Sequence, residues 1–240
     1  MRIVSWNSHQ KFREKIALFS PDSTDVLVVQ ECENTETAAK AYENAGWKYV
    51  WVGDNIHKGL GIFVTKKFSI EKLDWCISGC KYFLPVRINQ SIAMVGVWAM
   101  GGKSKSVSYA GQITRFLDQH KTEIRHDSTM IIGDFNSNSI WDKRHKTANH
   151  TQNDRRLKSI GLDSLYHVVH SVENGDEKQP TFYLSYDKEK PYHIDYAYLP
   201  VNLLAESKID IGLPDRWLKY SDHMPLFITA ATNHEQQRTC

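Results

Sequence analysis

The chain of 240 residues carries 30 Lys+Arg against 28 Asp+Glu, a formal net charge of +2, with 41% hydrophobic, 24% charged and 11% aromatic residues. A chain of that length buries roughly 70% of its unfolded surface, and the composition excludes disordered, collagenous and coiled-coil classes. No apolar run approaches the ~20 residues of a membrane-spanning helix, and the near-balanced charge leaves a nucleic-acid partner open, because clustering decides that question.

The opening Met1-Arg2-Ile3-Val4-Ser5-Trp6 turns polar too early for a secretory signal, which predicts a cytoplasmic protein. Its cysteines, Cys32, Cys76, Cys80 and Cys240, are then expected as reduced thiols. No repeat, low-complexity tract or linker divides the chain. One domain over 1–231 and a polar, flexible tail over 232–240 are predicted.

In chain order, Ile3-Val4 and Val26-Leu27-Val28-Val29 read as buried strands. Phe12, Ile16 and Phe19 share one helical face between them, and Pro21 ends that helix. Ala38, Ala39, Tyr42 and Ala45 outline a second helix, stopped at Gly46. Five short strands follow, at 49–52, 60–65, 70–75, 82–88 and 92–99, separated by turn residues as in antiparallel meanders. Ile113, Phe116, Leu117 and Ile124 mark a helix starting near Ser108, Met130-Ile131-Ile132 a buried strand, and 153–160 another helix. The remainder, at 181–186, 194–199, 207–211 and 226–231, reads mostly as strand. Helices set between strand groups predict an α/β protein of two packed mixed sheets flanked by helices.

Polar residues recur where these apolar runs stop: Asn7, Glu31, Asp134 and Asn136, Asp195, and Asp222-His223. Taken singly, each has a structural explanation as a turn or cap residue. If the last two strands run antiparallel to the first three, all of these ends share one rim. So many carboxylates together are costly without a cation or a substrate. Oxygen donors with little His and no converging Cys favour a hard ion, Mg²⁺ or Mn²⁺, which takes one or two carboxylates and completes its shell with water and phosphate oxygen.

The segments Ser5-Trp6-Asn7, Gln30-Glu31, Gly133-Asp134-Phe135-Asn136, His193-Ile194-Asp195-Tyr196 and Ser221-Asp222-His223-Met224-Pro225 carry a family resemblance. In type and order this set resembles the endonuclease/exonuclease/phosphatase (DNase I-like) superfamily. Tyr109, with Gln112 three residues on, is similar to a phosphate-contacting Tyr of the exonuclease III and AP endonuclease branch. Trp98 stands where the DNase and phosphatase branches place a His, and exonuclease III-like members have an aromatic there too.

The resemblance implies a four-layer α/β sandwich and metal-dependent hydrolysis of a phosphate ester. It implies Glu31, Asn7 and Asp222 on the metal side, and Asp134 aligning or deprotonating the attacking water with Asn136 fixing its geometry. His223 would lie on the scissile phosphate, oriented by Asp195, and Tyr109 would donate to that phosphate. Four positions depart from AP endonucleases: His9 replaces an Asp, Phe182 and Tyr183 in Thr181-Phe182-Tyr183 replace the two Trp of Thr-Trp-Trp, and His193 stands where Arg is common.

After the Asp134 strand end come Lys143, Arg144, Lys146, Arg155 and Arg156, with Trp141 before them. This basic stretch is expected to hold the phosphates of a polymer, with the indole available for stacking. Lys58, Gly59 and Gly61, and the loop at 101–105, are candidates for smaller contacts. The sequence therefore points to a monomeric nuclease, without a membrane partner, cutting DNA in preference to RNA. A phosphatase of small phosphate esters and a catalytically silent nucleic-acid-binding module are the alternatives.

Overall fold

The computed structural model describes residues 1–75, 78–102, 109–144 and 147–231. The expected tail at 232–240 lies outside them, as do Cys76, Cys240, Ser108, Lys146 and the loop residues Lys103, Ser104 and Lys105.

The first part of the chain runs β1 (Arg2–Asn7), β2 (Val26–Cys32), α1 (Glu36–Asn44), β3 (Trp47–Asn55) and β4 (Lys58–Thr65). It continues with β5 (Ile70–Lys72), β6 (Phe83–Ile88), β7 (Ile92–Trp98), α2 (Ala110–His126) and β8 (Met130–Asp134). Then come α3 (His150–Ser159), β9 (Leu162–Ser164), α4 (Leu165–His170), β10 (Phe182–Tyr183), β11 (Pro191–Tyr192) and β12 (Asp195–Pro200). Last are α5 (Val201–Leu204), β13 (Lys208–Ile211), α6 (Pro214–Trp217) and β14 (Leu226–Thr229).

Among the described residues the strands form two six-stranded sheets, ordered β13-β14-β1-β2-β4-β3 and β5-β6-β7-β8-β12-β9, and a small β10-β11 ribbon. Both sheets are mixed: β1 is parallel to β2 and antiparallel to β14, and β8 is parallel to β7 and antiparallel to β12. The sheets pack face to face, and strand alternation shows how. On β7, Met94 and Trp98 join the core between the sheets, whereas Val95 and Val97 belong to a second core with Ile113, Phe116 and Leu117 of α2. Gly96 allows the closest approach, since a Cβ there would stand 3.0 Å from Ile62 Cδ1 and 3.2 Å from Val28 Cγ1. Helices α2 and α3 cover the outside of the second sheet, and α1 covers the outside of the first through Tyr42, whose ring lies 4.9 Å from that of Phe63. The result is the expected four-layer α/β sandwich.

Local chemistry sets the helix ends. The Thr35 hydroxyl accepts from Ala38 N (3.2 Å) to start α1, and Gly46 leaves it at φ +92°. Helix α3 is capped twice: Asn149 accepts from Gln152 N (2.9 Å), and Asp142 accepts from the amides of His150 and Thr151 (both 3.0 Å).

Three expectations need correction. The helix expected through Phe12, Ile16 and Phe19 is two short 3-10 turns, Phe12–Glu14 and Ile16–Leu18. The chain enters them through three left-handed residues, His9, Gln10 and Lys11, and the Glu33 carboxylate takes the amides of Phe12 (2.8 Å) and Arg13 (3.2 Å). The strand expected over 181–186 stops at Tyr183, because Ser185 and Tyr186 turn left-handed at φ 58° and 62°. The strand expected over 70–75 ends at Lys72, the last residue paired with β6. Beyond these, the stretch after residue 160 holds three helices, α4, α5 and α6, that apolar periodicity did not reveal.

Candidate active site

Because β12 and β14 run against β8 and β1, the ends of β1, β2 and β8 meet the start of β12 and the segment before β14 on one rim. Asn7 closes β1 there. Its Nδ2 donates to Asp134 Oδ2 (3.1 Å) and lies 3.4 Å from Glu31 Oε1, while its Oδ1 accepts from His9 N (3.1 Å). Glu31 reaches the rim because β2 bulges against β4 between Gln30 and Cys32, putting Glu31 at φ +61°.

Asp134 is fully buried at the end of β8. Oδ1 accepts from Asn136 N (2.8 Å), and Oδ2 also accepts from Asn136 Nδ2 (3.0 Å). The Asn136 amide is itself anchored on Ala99 O (3.0 Å), with its backbone left-handed at φ 47°. Burial first, then the charge of Asp195, pushes the Asp134 carboxyl up, to about 7. Gly133, just before it in β8, lets the strand run close to β7, since a Cβ there would fall 2.0 Å from Val97 O.

His223 faces Asp134 across the rim, with Nε2 4.0 Å from Asp134 Oδ2. Its Nδ1 donates to Asp195 Oδ2 (3.0 Å). Burial alone would push the imidazolium down; the charges of Asp195 and Asp134, with the hydrogen bond to Asp195, outweigh it and hold the group up at about 9. Backbone contacts lock this geometry. Ser221 Oγ donates to Asn7 O (2.7 Å) and accepts from His223 N (3.0 Å), and Trp6 Nε1 donates to His223 O (2.9 Å). Thr181 Oγ1 accepts from the amides of Ile194 (2.9 Å) and Asp195 (3.0 Å), setting the start of β12. Phe182 lies against the imidazole, ring centroids 4.6 Å apart.

The other expected residues surround this centre. Asp222 Oδ1 lies 3.2 Å from His9 Nδ1. Tyr109 precedes α2 at φ 45° with its ring exposed, and Gln112 is a brace, bonding Met100 O (2.7 Å) and Lys81 N (2.9 Å). Lys143 and Arg144 are exposed on the turn after Asn138, and Trp141 there packs on Tyr192. Arg155 and Arg156 sit on α3, where Arg156 pairs with Asp118 of α2 (3.3 Å).

Lys58, held only as a minor contact from the sequence, is a member of the site. Its Nζ lies 3.0 Å from Glu31 Oε2 and 5.2 Å from the centroid of Trp98. Phe182 was visible only as a departure from a motif and Thr181 only as that motif's first residue, and their placement sets Phe182 against His223 and Thr181 on the amide of Asp195.

Among the described residues, ligand atoms of Asp134, Asp195 and His223 lie within 4.8 Å of one another, so this group could hold a metal ion. A rim of buried carboxylates, amides and one imidazole on a two-sheet α/β sandwich defines the class. No family model and no curated protein matches the chain. Solved structures do. A 3′–5′ exonuclease from Neisseria meningitidis matches at TM-score 0.73 with 18% identity, over 97% of this chain and 100% of that one. A Neisseria 3′ phosphatase bound to a product DNA hairpin matches at 0.73 with 19% identity and the same coverage of 97% and 100%. An AP endonuclease from Archaeoglobus fulgidus matches at 0.69 with 17% identity, over 97% and 100%. The chain shares the fold of these structures, the DNase I-like α/β sandwich.

Proposed function

We propose that the chain is a divalent-metal-dependent phosphodiesterase that hydrolyses nucleic acid, DNA in preference to RNA, by in-line attack of water. The observation that carries this reading is the opposed pair at the rim: Asp134, oriented by Asn7 and Asn136, 4.0 Å from His223, which Asp195 orients in turn. Asp134 takes the proton of the attacking water, and the two amides keep its carboxylate aimed. The water oxygen bonds to phosphorus as the opposite ester bond breaks, and the departing oxygen takes up a proton. The His223 imidazolium donates to a phosphate oxygen throughout, and the Tyr109 phenol is a second donor to it.

The residues present fit a hard cation. Glu31 offers carboxylate oxygens, Asn7 and Asp222 are the further oxygen donors this reading assigns to the ion, and Lys58 already sets a positive charge on Glu31 Oε2 at 3.0 Å. Mg²⁺, with Mn²⁺ as substitute, would be held there and when bound supplies charge against the phosphate oxygens. The Asp134/Asp195/His223 group is the other candidate; its His223 Nδ1 is committed to Asp195, which favours the Glu31 side for the ion.

Lys143, Arg144, Lys146, Arg155, Arg156 and Trp141 serve the polymer in this reading. The product DNA hairpin in one structural relative supports DNA as that polymer. A cytoplasmic monomer remains the expectation from the sequence. Separately, no helix among the described residues is long and apolar enough to cross a membrane. Purified protein with labelled single- and double-stranded DNA and RNA, with and without Mg²⁺ or Mn²⁺, tests this. Metal-dependent cleavage of DNA is expected, and turnover that survives a chelator overturns it.

A further inference from the structure

The half-buried ammonium of Lys15 sits where two distant segments of the chain meet. Its Nζ donates to the carbonyls of Ser8 (2.5 Å), Gln10 (3.0 Å) and Tyr220 (2.7 Å). Three bonds exhaust the donors of an ammonium. All three go to neutral backbone oxygens, the kind of cage that holds a monovalent cation. The segments are those that carry the rim. Ser8 follows Asn7, and its amide and hydroxyl both bond Gln30 O, one residue before Glu31. Tyr220 precedes Ser221, whose hydroxyl bonds Asn7 O and receives the amide of His223. The ammonium also lies 5.7 Å from the centroid of Trp6, whose indole donates to His223 O. Gln10 belongs to the left-handed run His9, Gln10, Lys11, at φ 49°, 66° and 51°. Such strain persists only where the surroundings hold it. Without a cation the three converging carbonyls repel one another, and the run relaxes.

We propose that Lys15 is a positioning residue for the hydrolysis: its ammonium is a built-in monovalent cation that clamps the segment of Asn7 to the segment of Ser221, Asp222 and His223. It touches neither the attacking water nor the phosphate, and acts by fixing how far the imidazole stands from the metal side of the rim. This rests on the phosphodiesterase reading of the same site. One consequence is specific to a cation cage. Once the lysine side chain is cut back, the three carbonyls accept a free cation of the same charge and size. Lys15→Ala vacates the position of Nζ; Lys15→Met removes the charge and fills the space, keeping an aliphatic stem.

The test follows wild type and both variants in ammonium chloride and in tetramethylammonium chloride of equal ionic strength. Three quantities are read: cleavage of labelled DNA with Mn²⁺, Mn²⁺ affinity by calorimetry without nucleic acid, and the melting curve. In tetramethylammonium both variants are expected to lose roughly 10- to 10²-fold in kcat with KM little changed, the cost of a misplacement of about 1 Å. Mn²⁺ affinity falls about 10-fold, as when a residue that orients metal ligands is lost. Ammonium restores both quantities in Lys15→Ala and neither in Lys15→Met, and wild type is indifferent to the choice of salt. If Lys15→Ala does not fold in tetramethylammonium, a melting transition that returns in ammonium upholds the same cage. Variants that cleave and bind Mn²⁺ like wild type overturn the proposal. So does ammonium that fails to restore Lys15→Ala or restores Lys15→Met equally, and so does a loss of folding in both variants that ammonium leaves unchanged. The two readings fail separately: metal-loaded wild type that cuts no nucleic acid overturns the phosphodiesterase reading, while Mn²⁺ affinity and its recovery by ammonium still decide the clamp.

Discussion

Asp195 stands directly opposite Asp134 in the antiparallel pairing of β12 with β8, and both carboxylates are buried. The charge of Asp195 raises the proton affinity of Asp134, and two carboxylates in one dry layer draw in a cation. His223 is that cation, bonded to Asp195 and facing Asp134.

The pH profile of cleavage should show this arrangement. With Asp134 required as carboxylate and His223 as imidazolium, kcat/KM rises through about 7 and falls again through about 9. The two limbs belong to the coupled set. In Asp195→Asn the strongest influence holding His223 up is gone, and the alkaline limb moves to lower pH. An alkaline limb that stays in place would show that His223 does not set it.

Asp134→Asn is expected to lower cleavage by roughly 10²- to 10⁴-fold. It should remain folded, because relief of a buried charge offsets the amide donor now turned toward Asn7 and Asn136. Single-turnover cleavage with a parallel melting curve checks both halves; near wild-type cutting would remove Asp134 from its role.

Lys58 and a divalent ion compete for Glu31. Lys58→Met keeps the aliphatic stem over Trp98 and deletes the ammonium 3.0 Å from Glu31 Oε2. Mn²⁺ affinity measured by calorimetry without nucleic acid should tighten about two- to five-fold, the scale of a partly exposed ion pair. Glu31→Gln should weaken it. Unchanged affinity in both variants would place the ion elsewhere.

Away from the site, His193 is buried neutral; its Nδ1 donates to Gln179 O (2.8 Å) and its Nε2 has no partner. Burial holds its folded pKa down at about 4, against an ordinary 6.5. The unfolded imidazole binds its proton first, so stability is full above 6.5 and drains as pH falls toward 4. Between about pH 7.5 and pH 5 this amounts to on the order of 2 kcal/mol in urea unfolding. The difference in unfolding free energy between wild type and His193→Gln should shrink by that amount from about pH 7.5 to about pH 5; taking the difference removes the opposite-signed titrations of Asp134 and His223 in the same range.

The strands were legible because β-branched runs such as Ile131-Ile132 and Val28-Val29 are buried on both faces of packed sheets. The rim was legible because polar residues interrupt those runs at their ends. What escaped was backbone that only tertiary contacts explain. Glu31, Tyr109 and Asn136 sit left-handed without being glycine, and His9 to Lys11 do so three in succession. Lys15 fixes that last loop from outside, its ammonium bonding the carbonyls of Gln10 (3.0 Å) and Tyr220 (2.7 Å). Helix α4 was missed because Leu165–His170 is too short for a 3.6-residue period to register. Lys58 has no local signal, since its partner Glu31 lies on a neighbouring strand.

Ser221 bonds Asn7 across 214 positions of sequence, so the parts of the rim they anchor are made far apart in time during synthesis. A growing chain on the ribosome displays Asn7, Glu31 and Asp134 long before His223 exists to face them. An enzyme of the proposed kind is thus inert while surrounded by ribosomal and messenger RNA, and it is armed only when β14 zips onto β1. Interrupting that final pairing would disarm it while leaving most of the hydrophobic interior intact.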